Sequence, residues 1–285
     1  MARIRGNRSI SEQGTIAFLL PFSSREYWST GAHRLYEGAT KRAAALGYRV
    51  EVFGFADPGM TIKCLERILS TRAIYGILLS PVYDGDPKPD LTWNNYALAQ
   101  MSGHSTSPEL HRAATHPFEA VRVCLEKLTD LGYRRIGLHV EKKVDVNLHG
   151  EWSAALILSQ QNSPPKQRVP PLLQQPLDEG QFAAWIKEYK PDVVLSLHIQ
   201  AKQWIENLGM KIPNDIGFAH LDWEPAFGDC AGLFQDVHAV AAIAVDLVLE
   251  QVYQNERGIP KQAKTLLIKG TWIAGSTVKE HNINA

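Results

Sequence analysis

The sequence predicts an α/β protein built from two similar doubly wound parallel-sheet units. Short apolar runs, typical of strands buried on both faces, alternate with longer segments whose apolar residues recur at helical spacing. In addition, residues 46–49 (LGYR) have an echo in residues 131–134 (LGYR), and each copy joins a predicted helix to a predicted strand. A β-α-β pattern that occurs twice indicates two consecutive units.

The first unit begins with a strand over residues 14–21 (GTIAFLLP), an apolar run bounded by glycine and proline. Residues 25–46 are predicted to form a helix, because their apolar residues recur at helical spacing. Gly47 follows as a suitable left-handed C-cap. The alternation continues with a strand over 48–55, a helix over 61–71 and a strand over 74–80.

The second unit begins near Thr115–His116 and repeats the same alternation. Its first predicted strand, over residues 135–139, follows the second LGYR sequence. The later elements are a helix over 148–160, a strand over 171–175, a helix over 179–189, a strand over 193–196, a helix over 200–208 and a strand over 216–221.

The chain then gives one more helix, over residues 237–255, and a strand over 264–268. A lone helix and strand cannot form a third domain, so they must return to the two units. The expected subdomains are an N-terminal one of residues 14–115 plus 237–260 and a C-terminal one of residues 116–236 plus 263–285.

Charge and cysteine content favour a soluble protein of the cytoplasm. The 285 residues include 30 basic and 30 acidic side chains, a balance that argues against nucleic-acid binding over the whole surface. Arg3, Arg5 and Arg8 are interpreted as part of a solvated terminus. The three cysteines are widely spaced, as expected in a reducing compartment. We find no signal peptide and no run long enough to cross a membrane.

The motifs of common enzyme classes are missing from the sequence. No glycine-rich phosphate loop follows the first strand, and there is no nucleophile elbow and no close metal-ligand spacing. We therefore expect a binding protein without cofactor or metal rather than an enzyme. Two alternatives stay open: an active site built from scattered residues, and a metal held by His116, His149 and His198 despite their wide spacing.

Aromatic and polar residues follow the predicted strands, and open α/β sheets bind ligands at the carboxyl ends of their strands. An aromatic ring stacks on the apolar face of a sugar or base while polar side chains pair with its hydroxyls, so this mixture predicts a sugar or nucleoside site. With His116 from the crossing between the units, the candidate ligand-binding residues are Phe22, Ser23, Trp28, Ser80, His116, Asp145, His149, Trp152, His198, Asp222, Trp223 and Gln235.

Several of these candidates also have a purely structural explanation. Asp222 could cap the element that follows it. Trp152 and Trp223 could be core aromatics, and His198 could be a loop residue whose hydrogen bonds are satisfied locally. The set as a whole is therefore a stronger indication than any member.

Several motifs together resemble the effector-binding core of the LacI/GalR transcription regulators. Residues 131–138 (LGYRRIGL) are similar to the family's L-G-[HY]-x-x-I motif. Residues 208–216 (LGMKIPNDI) are similar to its L-G-x-x-I-P-x-D-[IV] motif, after which a strand ends at Asp222. The resemblance extends over residues 14–278 and implies the periplasmic-binding-protein type I fold, with two Rossmann-like lobes.

The resemblance also implies a function. It implies a ligand-sensing and dimerisation core that binds a small sugar-like effector in the cleft between two lobes. Closure of the lobes in a homodimer would change the spacing of the DNA-binding heads. The family's helix-turn-helix head, which reads operator DNA, is not found in the sequence, and residues 1–13 resemble a remnant of the hinge that follows such a head. We therefore expect a shortened form of a longer regulator.

This sequence departs from the family at ligand positions. Asp222 and Gln235 match positions that bind hydroxyl groups, whereas His149 replaces an Arg, His198 replaces an Asp and Leu197 replaces an Asn. The change of Arg and Asn to His and Leu predicts a pocket less suited to a phosphorylated or anionic sugar, with an affinity that varies with pH. The rival interpretations are a headless or periplasmic sugar-binding protein, an enzyme acting on a sugar, and a dimerisation module with a vestigial pocket.

Overall fold

The structure is a computed structural model that describes residues 14–82, 86–103 and 108–280. The chain divides into two compact units, each with its own six-stranded sheet. The first unit comprises the chain up to Ala114 together with Val237–Leu267, and the second comprises Thr115–Asp236 together with the chain from Ile268 onward.

The secondary structure alternates between strands and helices in both units. The strands are β1 (Gly14–Leu20), β2 (Tyr48–Gly54), β3 (Gly76–Leu79), β4 (Ala97–Met101), β5 (His111–Thr115), β6 (Ile136–Glu141), β7 (Leu172–Gln174), β8 (Val193–Ser196), β9 (Gly217–His220), β10 (Ala231–Phe234), β11 (Thr265–Ile268) and β12 (Thr271–Ile273). The α-helices are α1 (Thr30–Ala45), α2 (Ile62–Thr71), α3 (Pro117–Asp130), α4 (Lys142–Asn147), α5 (Glu151–Ser159), α6 (Glu179–Tyr189), α7 (Gln200–Asn207) and α8 (Val237–Gln254).

The first sheet has the strand order β11-β5-β4-β3-β1-β2. Strand β1 lies parallel to both β2 and β3, with Phe18 opposite Val52 and Leu78. Its last five residues are buried, which explains why this strand is a continuous apolar run rather than an alternating one. The carboxyl ends of β1, β3 and β4 therefore meet at one edge of the sheet.

Helices α1 and α8 pack closely together in the first unit. At Gly38 of α1, an added Cβ would lie 2.7 Å from the Cα and O atoms of His238, so a larger residue would force the helices apart. Helix α8 is long and apolar enough to cross a membrane by length and composition alone. Its face around Val240, Ala244 and Val248 is buried within the unit, so we describe it as a core helix.

Strand β11 differs in position from the sequence analysis, which assigned residues 263–285 to the second subdomain. The strand lies at the edge of the first sheet beside β5, and the N–H of Arg112 donates to the carbonyl of Lys264 (2.9 Å). Strands β4 and β5 were not predicted. Both are short, and Gln100 and His111 interrupt their apolar pattern.

Two predicted helices begin later in the structure than the sequence predicts. Within the predicted helix 25–46, α1 begins only at Thr30, because the side chain of Ser29 accepts a hydrogen bond from the N–H of Ala32 and caps the helix. The predicted helix 148–160 corresponds to α5, which begins at Glu151 after a separate helix α4. His149 and Gly150 separate the two helices with φ angles of +54° and +73°, values that no α-helix accommodates.

The second sheet has the strand order β12-β10-β9-β8-β6-β7. Strand β12 runs antiparallel to β10, and the remaining neighbours pair in parallel. The register places His139 of β6, Ser196 of β8 and His220 of β9 side by side near the carboxyl edge. After β12, the side chain of Thr277 accepts a hydrogen bond from the N–H of Ala231 (2.9 Å) and donates to the carbonyl of Phe218 (2.7 Å), which ties the chain end to this sheet.

Candidate functional site

A pocket of about 370 Å³ lies at the carboxyl edge of the first sheet. Strand β1 ends at Leu20 and Ser80 follows β3; the N–H of Ser80 donates to the carbonyl of Leu19 (2.9 Å), which holds the two strand ends together. The residues that line the pocket are Leu20, Pro21, Phe22, Tyr27, Trp28, Ser29, Gly31, Ala32, Leu35, Ser80, Pro81, Asp86, Pro87, Ser102 and Val237.

Trp28 forms a fixed aromatic wall of this pocket. Its ring stacks on that of Phe18, with centroids 5.9 Å apart and planes inclined by 23°, and Tyr36 meets it edge-on at 5.5 Å. Its indole N–H donates to the carbonyl of Phe22 (3.1 Å). Because this N–H already has a partner, Trp28 can offer a ligand an apolar surface but no free donor.

Phe22 and Tyr27 are the exposed aromatic residues of the lining, at 37% and 68% exposure, and their ring centroids are 5.5 Å apart. Ser23 does not belong to the lining; its N–H donates to the Oδ1 atom of Asp57 (2.9 Å). The structure thus brings Phe22, Trp28 and Ser80 to one pocket and places Ser23 outside it.

In the second unit, Asp145 is buried and its carboxylate caps helix α5. The carboxylate accepts the N–H of Ser153 (3.1 Å) and its hydroxyl (2.7 Å). His149 lies at the break between α4 and α5. Trp152, in the first turn of α5, belongs to the apolar core of the unit, as the structural alternative proposed.

The candidate ligand-binding residues that follow β9 and β10 are Asp222, Trp223 and Gln235, and hydrogen bonds connect the segments that carry them. The N–H of Asp222 donates to the Nδ1 atom of His220 (3.1 Å), and the amide of Gln235 donates to the carbonyl of Leu221 (3.0 Å). The N–H of Trp223 donates to the carbonyl of Leu233 (2.8 Å), and its ring packs partly buried against the core. The hydrogen bonds of Gln235 and Trp223 join the ends of the two strands.

His116 is the N-cap of helix α3. Its Nδ1 atom accepts a hydrogen bond from the N–H of Glu119 (3.4 Å), and its own N–H donates to the carbonyl of Ile268 (3.1 Å). The sequence predicts His116 at the crossing between the units and among the ligand contacts. Its observed side-chain contact is structural.

A cluster of buried polar residues lies at the carboxyl edge of the second sheet, and of its members only His198 was predicted from the sequence. His139 contacts Ser196 Oγ through Nδ1 (3.0 Å) and Gln174 Oε1 through Nε2 (2.8 Å). His198 donates its N–H to Ser196 Oγ (3.0 Å), and its ring centroid lies 5.6 Å from that of His139. A signal was present in the sequence, because β6 (IGLHVE), β8 (VVLS) and β9 (GFAH) each carry a polar residue within an apolar run.

The environment of these imidazoles favours their neutral form. Burial lowers the pKa of His139 to about 4, although the hydrogen bond with Gln174 opposes the shift. Burial likewise lowers the pKa of His220 to about 4. Burial also lowers the pKa of His198, with an opposing effect from the Glu141 carboxylate. The cluster is therefore uncharged at neutral pH.

Three nitrogen atoms of predicted site residues are buried without a hydrogen-bond partner among the described residues. They are Nε1 of Trp152, Nε1 of Trp223 and Nε2 of His198. The nearest acid to His198 is Glu141, whose Oε1 atom lies 3.8 Å from Nε2, beyond hydrogen-bond distance. An unsatisfied buried polar group is costly, so each of these atoms requires an explanation.

Within the described parts of the chain, no group of three or more His, Cys, Asp or Glu residues is arranged to hold a metal ion. This includes His116, His149 and His198, which were considered together as a metal site from the sequence.

No protein-family model matches the sequence, and no curated protein matches it. Solved structures do match. A regulatory protein of the LacI family from Chloroflexus aggregans gives a TM-score of 0.70 at 16% identity, covering 94% of this chain and 99% of that chain. The chain has the fold of the LacI-family regulators.

Two further matches contain sugars. The complex of the transcriptional regulator CelR with cellobiose gives a TM-score of 0.68 at 12% identity, covering 94% of this chain and 85% of that chain. The LacI-family regulator CCPA from Weissella paramesenteroides, with bound glucose, gives 0.67 at 12% identity, covering 94% of this chain and 99% of that chain. The matches confirm the predicted fold of two parallel-sheet α/β subdomains.

Proposed function

We propose that this chain is the ligand-sensing core of a LacI-type transcription regulator, with a small neutral sugar or sugar derivative as its effector. The pocket at the carboxyl edge of the first sheet is the observation that carries the proposal. Two regulators with the same fold are complexes with cellobiose and glucose, which supports a sugar as the ligand.

The chemistry of the pocket favours an uncharged sugar over a phosphorylated one. Phe22, Tyr27 and Trp28 supply aromatic surface, while Ser29 and Ser80 supply hydroxyl groups. Among the described residues the lining contains no lysine or arginine, and its one carboxylate is that of Asp86. The guanidinium of Arg25 lies 5.5 Å from the centroid of the Trp28 ring but does not line the pocket, so a phosphate group would find no cationic partner in the lining itself. A volume of about 370 Å³ suits a small ligand.

In the second unit we propose His198, Trp152 and Trp223 as ligand contacts, because their buried nitrogen atoms have no partner within the described residues. Asp222 and Gln235 remain proposals on the strength of the family resemblance alone. We further propose that two chains form a homodimer, and that operator DNA is read by a helix-turn-helix head joined before residue 1. On this proposal the protein acts in the cytoplasm and is not an enzyme.

Isothermal titration with glucose, cellobiose and nucleosides tests the proposal, together with two variants at exposed aromatic residues. We expect Phe22→Ala and Tyr27→Ala each to weaken sugar binding about five- to tenfold, because each removes about 1 kcal/mol of aromatic contact. Both side chains are exposed, so both variants should fold normally. The matched control is Tyr253→Ala, which removes another exposed aromatic residue, on α8 and outside the pocket.

If none of the sugars and nucleosides binds to the wild-type chain, the vestigial-pocket interpretation is favoured instead. Equal losses in Tyr253→Ala and Phe22→Ala would contradict the assignment of this pocket. Conversion of a bound sugar into product would identify the protein as an enzyme.

A further inference from the structure

A second cavity, of about 420 Å³, lies at the amino edge of the first sheet. Tyr75 immediately precedes β3, and Asn95 and Tyr96 precede β4. The effector pocket proposed above includes Ser80, which follows β3, so the four residues of that strand, about 13 Å, separate the two sites. The residues that line the second cavity are Glu66, Arg67, Ser70, Tyr75, Asn95, Tyr96 and Arg257.

Two guanidinium groups, those of Arg67 and Arg257, line this cavity. Among the described residues, neither Arg67 nor Arg257 forms an ion pair with a carboxylate; Arg67 has a long contact to the Sγ atom of Cys64 (3.9 Å). Arg72, at the end of the same helix α2, differs because its guanidinium pairs with Glu51 at 2.6 Å. Of these three arginines, the two that line the cavity are therefore the ones without a paired carboxylate among the described residues.

Arg257 is held in place without using up its donors. Its guanidinium lies over the ring of Tyr75, 4.3 Å from the centroid, and one Nη1 N–H donates to the carbonyl of Asn95 (3.2 Å). A guanidinium has five N–H groups, so most of them stay available. A stacked and oriented guanidinium is well suited to bind an oxyanion, because less side-chain freedom is lost on binding.

The other polar groups of the cavity include the carboxylate of Glu66 and the hydroxyls of Tyr96 and Ser70. The Oε1 atom of Glu66 accepts the N–H of Thr92 (2.5 Å). Burial raises the pKa of Tyr96, and the negative charge of Glu66 adds to the shift, so the phenol keeps its proton and can donate. Ser70 adds a second hydroxyl. Two positive charges against one negative charge leave the cavity cationic.

We propose that this cavity binds a small ligand through a phosphate group, with Arg67 and Arg257 as its charged partners and the hydroxyls of Ser70 and Tyr96 as further donors. Arginine binds phosphate through paired N–H groups. A tetrahedral phosphate monoester presents three terminal oxygens, which matches donors that come from separate elements better than a planar carboxylate does. The site does not depend on the proposed sugar pocket.

Binding of inorganic phosphate and of glycerol 3-phosphate to the whole chain tests this inference, with glycerol as the neutral match and ionic strength kept constant. We expect both phosphate compounds to bind and glycerol not to bind. Arg67→Gln and Arg257→Gln should each weaken glycerol 3-phosphate binding tenfold or more. Arg72→Gln removes the same charge from the end of the same helix and should leave binding unchanged, since that arginine is already paired.

Thermal unfolding without ligand verifies that each variant is folded before binding is compared. Equal affinities in Arg67→Gln, Arg257→Gln and Arg72→Gln would overturn the proposal, and so would acetate binding as tightly as phosphate. Loss of phosphate binding in Phe22→Ala would place the phosphate in the sugar pocket instead and would also overturn it. Failure of sugar binding alone leaves this site standing, because the two cavities share no residue.

Discussion

The two units share a six-stranded sheet but use its carboxyl edge differently. In the first unit this edge opens into a pocket of about 370 Å³ whose lining includes Phe22, Trp28 and Ser80. In the second unit the corresponding edge holds His139 and His220, which are almost completely buried. Strand order therefore determines where the carboxyl edge lies. The side chains at the strand ends determine whether that edge is open or filled.

The physical difference lies in where the polar residues occur. In the first unit the polar residues that line the pocket come after the strands, although Gln100 and His111 lie buried within β4 and β5. In the second unit the polar residues come within the strands, where a polar side chain is tolerated only if hydrogen bonds replace water. The contacts of His139 with Ser196 and Gln174 meet this requirement.

The largest expected effect is a loss of stability in acid that is greater for the second unit. The folded protein lowers the pKa of His139 and of His220 from 6.5 to about 4 by burial. The unfolded chain therefore binds more protons between pH 6.5 and 4, so this contribution is fully present above pH 6.5 and is lost as the pH falls to about 4. We expect about 3 kcal/mol for each histidine, measured by urea denaturation at several pH values.

Substitution of the histidines distinguishes protonation of the buried imidazoles from other causes of unfolding in acid. His220→Gln should make the free energy of unfolding less dependent on pH across this window, whatever its effect on stability at pH 7. His111, whose pKa burial also lowers, provides the matched position in the first unit. An unchanged pH dependence in His220→Gln would show that the imidazole is not the group that titrates.

The next effect compares one residue near the carboxyl edge of each sheet. His139→Ala should reduce the free energy of unfolding by about 3 kcal/mol, because it leaves a cavity and removes the partner of the buried Gln174 side chain. Phe22→Ala should change it by less than about 1 kcal/mol, because that ring is 37% exposed. Urea denaturation followed by tryptophan fluorescence measures both. Similar losses in the two variants would mean that the edges do not differ as described.

The smallest expected effect concerns an ion pair between helices of the first unit. The Nε atom of Arg42 on α1 lies 2.8 Å from the Oδ1 atom of Asp246 on α8, but both side chains are 40–45% exposed. Arg42→Gln should therefore cost only about 0.5 kcal/mol, and added salt should reduce this cost further. A loss comparable with that of His139→Ala would indicate that the ion pair, and not the close packing at Gly38, holds these helices together.

The candidate site was only partly predictable. Phe22, Trp28 and Ser80 were found because they follow β1 and β3, and a rule about strand ends applies to open parallel sheets in general. Their role in binding remains a prediction. The same rule selected Asp145, whose carboxylate caps a helix; the crossing between the units suggested His116, whose ring does the same. A capping residue and a ligand contact have the same chemistry, so sequence position alone does not separate them.

The sequence by itself determined the fold class, because apolar runs and helical periodicity report directly on which faces are buried. It also showed two units, because the same LGYR junction occurs twice. Only the tertiary structure decided that His139, Ser196 and His220 are neighbours and that Arg67 and Arg257 share a cavity. Such contacts join residues far apart in the chain, and strand order and helix packing bring them together in ways that local pattern does not encode.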